Sequence, residues 1–307
     1  MSFVVLAPGI DSRLVDFGRP RSRSLGVPVG GAADRRSLAL GNALLGNPDD
    51  APALEVTLQG PRLRAEADVG CVVYGAPFEI RRDGVRIPAG ETFTLHAGEE
   101  LHIGGTQWGL RASLCVRGGF HAPSILNSHS ALEPIRAGET LACATSQIPR
   151  RYSPDGMPVF PEVLPLSVLP GLQASWFDSA PFYQQMFVVS PQSNRMGVRL
   201  AGKPLNEPER EMISEPVCPG AVQVTRDGQC IVLGIDGQTI GGYPKIAQVI
   251  SPHLNLLGQA RPGQKIKFVP TTLDAAAEIE RFLRMELQQI TLRHRLALDA
   301  FGGERTL

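Results

Sequence analysis

Three observations predict a mainly β protein, built as barrels or sandwiches. Short apolar runs, many of alternating polarity, fill residues 53–144 and again residues 166–271. Glycine (33) and proline (26) are abundant, while aromatic residues make up only 6% of the 307 residues. Helical periodicity is confined to two segments. Strands at such close spacing favour barrels or sandwiches over alternating strand–helix units.

The first half of the chain predicts one short helix followed by a sheet. Helical spacing runs from Ala32 to Leu45 and is stopped by Gly46-Asn47-Pro48. Asp83-Gly84, between two strand-like runs, predicts a tight hairpin turn. We therefore expect an N-terminal β sub-domain over residues 1–145. Its strand-like runs are ALEVTLQG, CVVYGA, FEIRRDG, ETFTLHAG, LHIGG and ASLCVRGG.

The second half repeats this pattern after a proline-rich stretch. Residues 146–165 contain five prolines without periodicity and are interpreted as a linker. A C-terminal β sub-domain is predicted over residues 166–271, with a second hairpin at Asp227-Gly228. Residues 272–300 predict a long helix, because Thr272 can cap it and an apolar stripe follows at helical spacing.

Composition and charge argue against several classes of partner. The chain has 30 basic and 30 acidic residues, so we expect neither nucleic acid nor a membrane surface as a partner. The N-terminal apolar run is too short for a signal peptide, and no run approaches the length of a membrane span. The five cysteines lack metal-ligand spacing, as do the six histidines. Free thiols, no metal site and a cytoplasmic location are expected.

Polar side chains concentrate in a first polar segment, residues 190–200. Gln192, Ser193 and Asn194 offer the short amide and hydroxyl groups that can hold a planar urea-like or lactam group. Arg195 can pair with a carboxylate in a two-point fork. The alternative is structural: Ser190-Pro191 starts a turn and Arg195 belongs to an internal ion pair. Since polar loop residues serve either role, both interpretations stand.

A second polar segment, residues 236–247, contains the candidate catalytic groups. Lys245 can stabilise a developing oxyanion or donate a proton, and Asp236 is the candidate base or orienting group. Tyr243 can stack on a flat ligand. The pair Gly241-Gly242 lets backbone amides approach a ligand closely. We therefore place a substrate-binding role on Gly241, Gly242 and Tyr243.

The order of motifs resembles that of a known family. D-F-G-R-P at residues 16–20 precedes G-V-P-V-G-G-A-A-D at residues 26–34. S-P-Q-S-N-R-M-G at residues 190–197 is followed by G-G-Y-P-K-I-A at residues 241–247. From about Pro8 to Leu273 the chain resembles the KipA family, also called allophanate hydrolase subunit 2. This family includes the C-type subunit of bacterial 5-oxoprolinase and is related to the carboxyltransferase domain of urea carboxylase.

The resemblance implies a cyclophilin-like β-barrel architecture in two sub-domains and a KipI-like B-type subunit as partner. It also allows a third 5-oxoprolinase subunit. It implies either ATP-dependent opening of a lactam or carboxyl transfer from carboxybiotin to urea or another small amide. ATP or carboxybiotin would reach the site through partner subunits, and we expect this chain to bind no cofactor directly. The alternative is a regulatory protein that antagonises a KipI-like inhibitor of a sensor kinase.

The chain departs from the family pattern after Gly119. Relatives have a glycine-rich loop here, whereas this chain continues through a shorter passage, residues 121–135, which lacks it. Glycine-rich loops often hold a ligand or a partner through their backbone. The loss leaves both the catalytic and the regulatory interpretation open, because family membership does not fix a reaction.

Overall fold

The computed structural model describes residues 2–206, 210 and 212–302. These residues form two compact units. The first comprises the described residues within Met1–Gly18, Asp34–Val159 and Met285–Leu307, and the second those within Arg19–Ala33 and Phe160–Arg284. The boundaries predicted from the sequence for the two β sub-domains, the linker and the C-terminal helix stay predictions. They are 1–145, 146–165, 166–271 and 272–300.

The first unit consists of two six-stranded antiparallel sheets, counted over its described residues. Its strands are β1 Ser2–Ala7, β2 Asp11–Val15, β3 Ala53–Thr57, β4 Arg62–Ala65, β5 Val69–Gly75, β6 Ile80–Arg82, β7 Val85–Ile87, β8 Glu91–Leu95, β9 Glu100–Ile103, β10 Arg111–Val116, β11 Thr140–Ala142 and β12 Arg151–Tyr152. One sheet has the order β11-β1-β4-β9-β6-β7 and the other the order β12-β8-β5-β10-β3-β2.

The predicted first helix is confirmed and covers the centre of the second sheet. Helix α1, Arg35–Leu44, begins three residues later than predicted, because the Asp34 carboxylate accepts a hydrogen bond from the Ser37 amide and caps it. The helix packs on β5 and β10, whose residues are buried along their whole length. A Cβ at Gly41 would lie only 2.8 Å from the Cys115 sulfur, so glycine permits this close approach.

The Asp83-Gly84 hairpin is confirmed. Strands β6 and β7 pair on either side of these two residues, and their φ values are +44° and +81°. Positive φ at both central positions defines the turn whose twist matches that of the flanking strands. Within residues 146–165, strand β12 pairs with β8.

The second unit contains a closed barrel. Its strands are β13 Val163–Pro170, β14 Phe187–Val189, β15 Gly197–Ala201, β16 Glu215–Pro216, β17 Ala221–Val224, β18 Cys230–Leu233, β19 Ile240–Gly241, β20 Lys245–Val249 and β21 Lys265–Pro270. The barrel order is β13-β20-β17-β18-β15-β14-β21, closed by parallel pairing of β21 with β13. Strands β16 and β19 form a separate small sheet. The predicted mainly β, barrel-containing fold is confirmed.

Apolar side chains fill the barrel and leave polar ones on its outer face. Phe182 stacks on Phe268 with ring centroids 4.6 Å apart, inside the core. Val222 and Val224 also belong to this core. Since side chains alternate along a strand, Gln223 between them points to the opposite face.

Three further helices lie among the described residues of 160–302. The predicted long C-terminal helix is confirmed as α4, Leu273–Gly302, with Thr272 Oγ1 accepting from the Ala275 amide at 3.3 Å. Two short helices, α2 Ala180–Gln184 and α3 Leu254–Gly258, were not predicted. None of the helices in the described residues is both long and apolar enough to cross a membrane.

Candidate functional site

Arg195 and Asp236, one from each polar segment, bind each other. Arg195 Nε donates to Asp236 Oδ2 at 2.7 Å and Nη2 donates to Oδ1 at 3.1 Å. Nη2 also donates to the Gly31 carbonyl at 2.6 Å. The Arg195 side chain is only 7% exposed and that of Asp236 is 28% exposed. The structural alternative for Arg195 is therefore observed, and its fork is directed at an internal carboxylate.

The other residues of the first polar segment shape the turn between β14 and β15. Ser193 Oγ accepts from the Arg199 amide at 3.0 Å. Asn194 Oδ1 accepts from the Met196 amide at 2.9 Å. These local bonds are typical of short polar side chains in turns. The side chain of Gln192 is exposed.

Lys245, at the start of β20, pairs with a carboxylate that the sequence did not point to. Its ammonium group contacts the carboxylate of Glu215 from β16. Glu215 Oε1 also accepts from Gln173 Nε2 at 3.0 Å, and Gln173 Oε1 accepts from the Lys245 amide at 3.1 Å. We call Lys245, Glu215 and Gln173 the lysine cluster. The structure thus pairs Lys245 with Glu215 and Asp236 with Arg195.

Charge and burial differ sharply across the lysine cluster. The Lys245 side chain is 5% exposed, whereas that of Glu215 is 32% exposed and faces solvent. The hydrogen bond from Lys245, and then that from Gln173, lowers the pKa of the Glu215 carboxyl. A buried ammonium held by one partly exposed carboxylate retains donor capacity for a second acceptor, because an ammonium group has three N–H bonds.

The backbone at Gly241 is approached by side-chain amides. A Cβ there would lie 2.5 Å from Gln223 Nε2 and 2.9 Å from Gln238 Nε2, and one at Gly242 would lie 3.1 Å from Ser214 Oγ. Gly241 belongs to β19, which pairs with the β16 strand that carries Glu215. The carboxamides of Gln223 and Gln238 therefore both lie beside Gly241 of the small sheet. Tyr243 lies two residues further along the chain and is 39% exposed.

Sequence reasoning missed Glu215, Gln173 and Gln223. Gln223 carried a signal, because it is the polar position within the apolar strand AVQV. Glu215 and Gln173 carried none, since they lie 30 and 72 residues from Lys245 in the sequence. Among the described residues, no group of three or more histidine, cysteine, aspartate or glutamate side chains could hold a metal ion.

The passage at residues 121–135 lies in the first unit, and its residues 128–130 bind the carboxylate of Asp16. The Asp16 carboxylate accepts from Ser128 Oγ at 2.6 Å, Ser130 Oγ at 2.5 Å and the His129 amide at 2.6 Å. Burial alone would raise the pKa of Asp16, but these bonds and one from the Gly18 amide outweigh it, so the pKa is lowered. This passage is ordered by the carboxylate.

Comparisons with known proteins agree with the resemblance inferred from the motifs. A family model described as carboxyltransferase domain, subdomain A and B, matches residues 25–270. The chain is 36% identical to the C-type subunit of 5-oxoprolinase from Haemophilus influenzae over 289 residues, covering 90% of this chain and 93% of that protein. It is 34% identical to the corresponding 5-oxoprolinase subunit from Escherichia coli over 306 residues, covering 94% and 97%.

Solved structures show the same fold within longer chains. The urea amidolyase of Kluyveromyces lactis superposes with a TM-score of 0.86 at 26% identity, covering 94% of this chain and 20% of that one. Another solved chain has a TM-score of 0.80 at 35% identity, and 55% of its length is covered. The chain therefore spans only part of these solved proteins.

Proposed function

Because this chain belongs to the carboxyltransferase-domain family, we propose that it is the C-type subunit of an ATP-dependent 5-oxoprolinase acting on a small lactam. Two relatives that match it over nearly their whole length carry the name of that subunit. A subunit of this kind works with partners, which we propose to be a KipI-like B-type subunit and a third subunit. We propose the cytoplasm as its location.

The lysine cluster is the observation that carries this proposal. Lys245 is buried, paired with Glu215 and oriented through its backbone by Gln173. Opening a lactam requires a donor that stabilises negative charge on the carbonyl oxygen, and a buried ammonium supplies it strongly where water is excluded. Lys245 is our catalytic residue, and Glu215 holds its ammonium in place.

Asp236, Arg195 and the turn residues have a positioning role in this proposal. Asp236 is neutralised by Arg195, which orders the turn carrying Gln192, Ser193 and Asn194. We propose that Gly241, Gly242 and Tyr243 border the substrate from the second polar segment. Partner residues complete the site.

We propose that ATP binds to another subunit. The amino end of helix α1, where a phosphate could bind, is occupied by the Asp34 carboxylate, which would repel it. This subunit would then receive an activated substrate or an activated carboxyl group. Its own residues bind the amide, exclude water and supply the proton donor at Lys245.

A second candidate function is carboxyl transfer to a small amide. The likeness to the Kluyveromyces lactis urea amidolyase, with a TM-score of 0.86, favours it. In lactam opening the bond at the carbonyl carbon of the amide is broken, whereas in carboxyl transfer the amide nitrogen receives a carboxyl group. In both candidates Lys245 stabilises charge on the carbonyl oxygen and Glu215 holds Lys245 in place. An assay of carboxyl transfer from free carboxybiotin to urea distinguishes this candidate from lactam opening.

The test is reconstitution. This chain is combined with the KipI-like partner and the third subunit from the same organism, and ATP-dependent loss of 5-oxoproline is measured. We expect turnover by the complete set and none when this chain is omitted. Equal turnover without this chain contradicts the proposal. Stable binding to the KipI-like partner, with neither lactam opening nor carboxyl transfer by the complete set, would support the regulatory alternative.

A further inference from the structure

The side-chain nitrogen of Gln223 is a buried donor that the described residues leave without a partner. The residue is 2% exposed, and no described atom accepts a hydrogen bond from its Nε2. Burying an unpaired donor costs about 1–3 kcal/mol, so such groups are few in folded proteins. A group of this kind outside the apolar core indicates a missing acceptor.

The position of Gln223 relates this donor to the proposed catalytic residue. Gln223 on β17 is in register with Lys245 on β20, and a bulge precedes the pair. Side chains of an antiparallel register pair lie on the same face with Cβ atoms about 4.5–5.5 Å apart. The amide of Gln223 and the ammonium of Lys245 therefore project from the same outer face of the barrel.

Gly241 leaves the space that the Gln223 amide occupies. Its φ is not positive, so conformational freedom is not the reason for glycine here. A Cβ at this position would meet Gln223 Nε2 at 2.5 Å, closer than any real contact. The Nε2 of the exposed Gln238 lies near the same glycine, 2.9 Å from where the Cβ would be. Gly241 thus determines where the unpaired donor lies.

The charges around this donor select among acceptors. Glu215 already supplies the one carboxylate that balances Lys245 in the lysine cluster. A second anion would be repelled by Glu215, while a neutral carbonyl oxygen would accept from both Gln223 and Lys245 at no such cost. Carboxamide side chains also match the donor and acceptor pattern of an amide. The uncharged carbonyl oxygen of an amide group therefore fits best as the acceptor.

We propose that Gln223 binds the carbonyl oxygen of the amide substrate through its Nε2 group, beside Lys245 and over Gly241. The proposal rests on the proposed function and names a substrate-binding residue for it. The two donors together would form a cradle for the carbonyl oxygen, in which Gln223 fixes its position and Lys245 carries the charge. Loss of Gln223 would then weaken binding of the amide more than it weakens folding.

Binding of simple amides to the full chain tests this role. The probes are 2-pyrrolidone, 5-oxoproline and urea, titrated by calorimetry. Gln223→Met removes the donor and keeps the length of the side chain. Gln248→Met is the matched control, because Gln248 Nε2 donates to the Pro219 carbonyl at 2.9 Å and the Val249 carbonyl at 3.1 Å.

We expect Gln223→Met to weaken binding of 2-pyrrolidone at least about tenfold, as loss of one hydrogen bond does, without lowering the melting temperature of the free protein. Gln248→Met should do the reverse. Unchanged binding in Gln223→Met overturns the inference, and so does a fall in melting temperature equal to that of Gln248→Met. Absence of binding to the parent chain, both alone and in the assembled complex, also overturns it.

Turnover of the reconstituted complex separates this inference from the proposed function. In the assembled enzyme we expect Gln223→Met to raise KM for 5-oxoproline about tenfold or more. If the enzyme still requires this chain but its KM is unchanged by Gln223→Met, only the role of Gln223 is overturned and the proposed function stands. Absence of turnover by the complete parental set contradicts the proposed function itself.

Discussion

Arg195 and Asp236 form a two-point ion pair that joins the turn entering β15 to the turn leaving β18. The two side-chain bonds measure 2.7 and 3.1 Å, and the Asp236 amide donates to the Arg195 carbonyl at 3.1 Å. Strands β15 and β18 are neighbours in the barrel. The two residues therefore join the ends of these neighbouring strands through an ion pair and a backbone hydrogen bond.

Replacing Arg195 with lysine should destabilise the second unit. Lysine cannot make the fork, and the Arg195 bond to Gly31 would be lost with it. We expect a loss of about 1–3 kcal/mol in the free energy of unfolding, measured by urea denaturation. Arg199→Lys, on exposed β15 surface, is the control and should stay within about 0.5 kcal/mol. Equal effects of the two changes would refute the role of the pair.

Adding a methyl group at Gly241 should impair ligand binding more than stability. The new Cβ would displace the ends of two flexible side chains, Gln223 and Gln238, which can move at little cost. We expect Gly241→Ala to weaken binding of 2-pyrrolidone about tenfold while the free energy of unfolding changes by less than about 1 kcal/mol. Gly105→Ala, whose Cβ would meet only the Leu58 carbonyl at 3.7 Å, should change neither. Full binding by Gly241→Ala would count against the account.

Local chemistry made much of the fold predictable. Asp83-Gly84 and Asp227-Gly228 predicted both hairpins, since two to four residues determine such turns. Helix α1 was predictable from its apolar spacing and its stop at Gly46. Strands β16 and β19 were not, because two residues contain no periodicity and their pairing joins positions far apart in the sequence.

The site was less predictable, for the same physical reason. The two polar segments identified Lys245, Arg195 and Asp236, but the sequence could not say which charges meet. Contact between Lys245 and Glu215 is produced by the barrel and the small sheet together, and no local pattern encodes it. Single residues were predictable from their chemistry, whereas their pairing required the fold.

Mild acid should destabilise the second unit through His253. Burial lowers the pKa of His253, and its Nδ1 accepts from the Ser167 amide at 2.9 Å. The unfolded chain then binds the proton more readily, so stability falls as the pH drops below about 6.5 and levels off below the folded-state pKa.

Fluorescence of Trp176 in a Trp108→Phe background reports on that unit. We expect His253→Gln to flatten the loss of stability between about pH 6.5 and 5, since a glutamine does not titrate. His294, whose pKa burial also lowers, contributes a slope of the same sign in the first unit. Exposed His121→Gln is the control and should leave the profile unchanged. A profile in His253→Gln identical to that of the parent would exclude this role.

Asp16 should stabilise the passage at residues 121–135. Its pKa is lowered in the folded state, so its contribution is present above the ordinary carboxyl pKa and is lost as the pH falls through the folded value. We expect Asp16→Asn to lower the free energy of unfolding by about 2–3 kcal/mol at neutral pH. The charged acceptor is lost, and the NH2 group of the new side chain then faces the donors of Ser128, His129 and Ser130. Hydrogen exchange at the amides of residues 128–130 should accelerate with it.

Exposed Asp50→Asn is the control for Asp16 and should change neither stability nor exchange. The cost of Asp16→Asn should begin to shrink below about pH 4, where the unfolded parent chain binds the proton first, and should be lost as the pH falls through the lower folded-state pKa. A cost that persists undiminished at low pH would show that packing, and not charge, orders this passage.

Turnover by the complex containing Lys245→Met tests the central claim most directly. Methionine keeps much of the buried side-chain volume of Lys245 and removes the ammonium group paired with Glu215. The control is Lys265→Met, because Lys265 also pairs with a glutamate, Glu162, but on the exposed surface. With assembly of the complex verified, we expect Lys245→Met to lower kcat for 5-oxoproline at least about a hundredfold and Lys265→Met to retain parental turnover. Parental kcat in an assembled Lys245→Met complex would contradict the account.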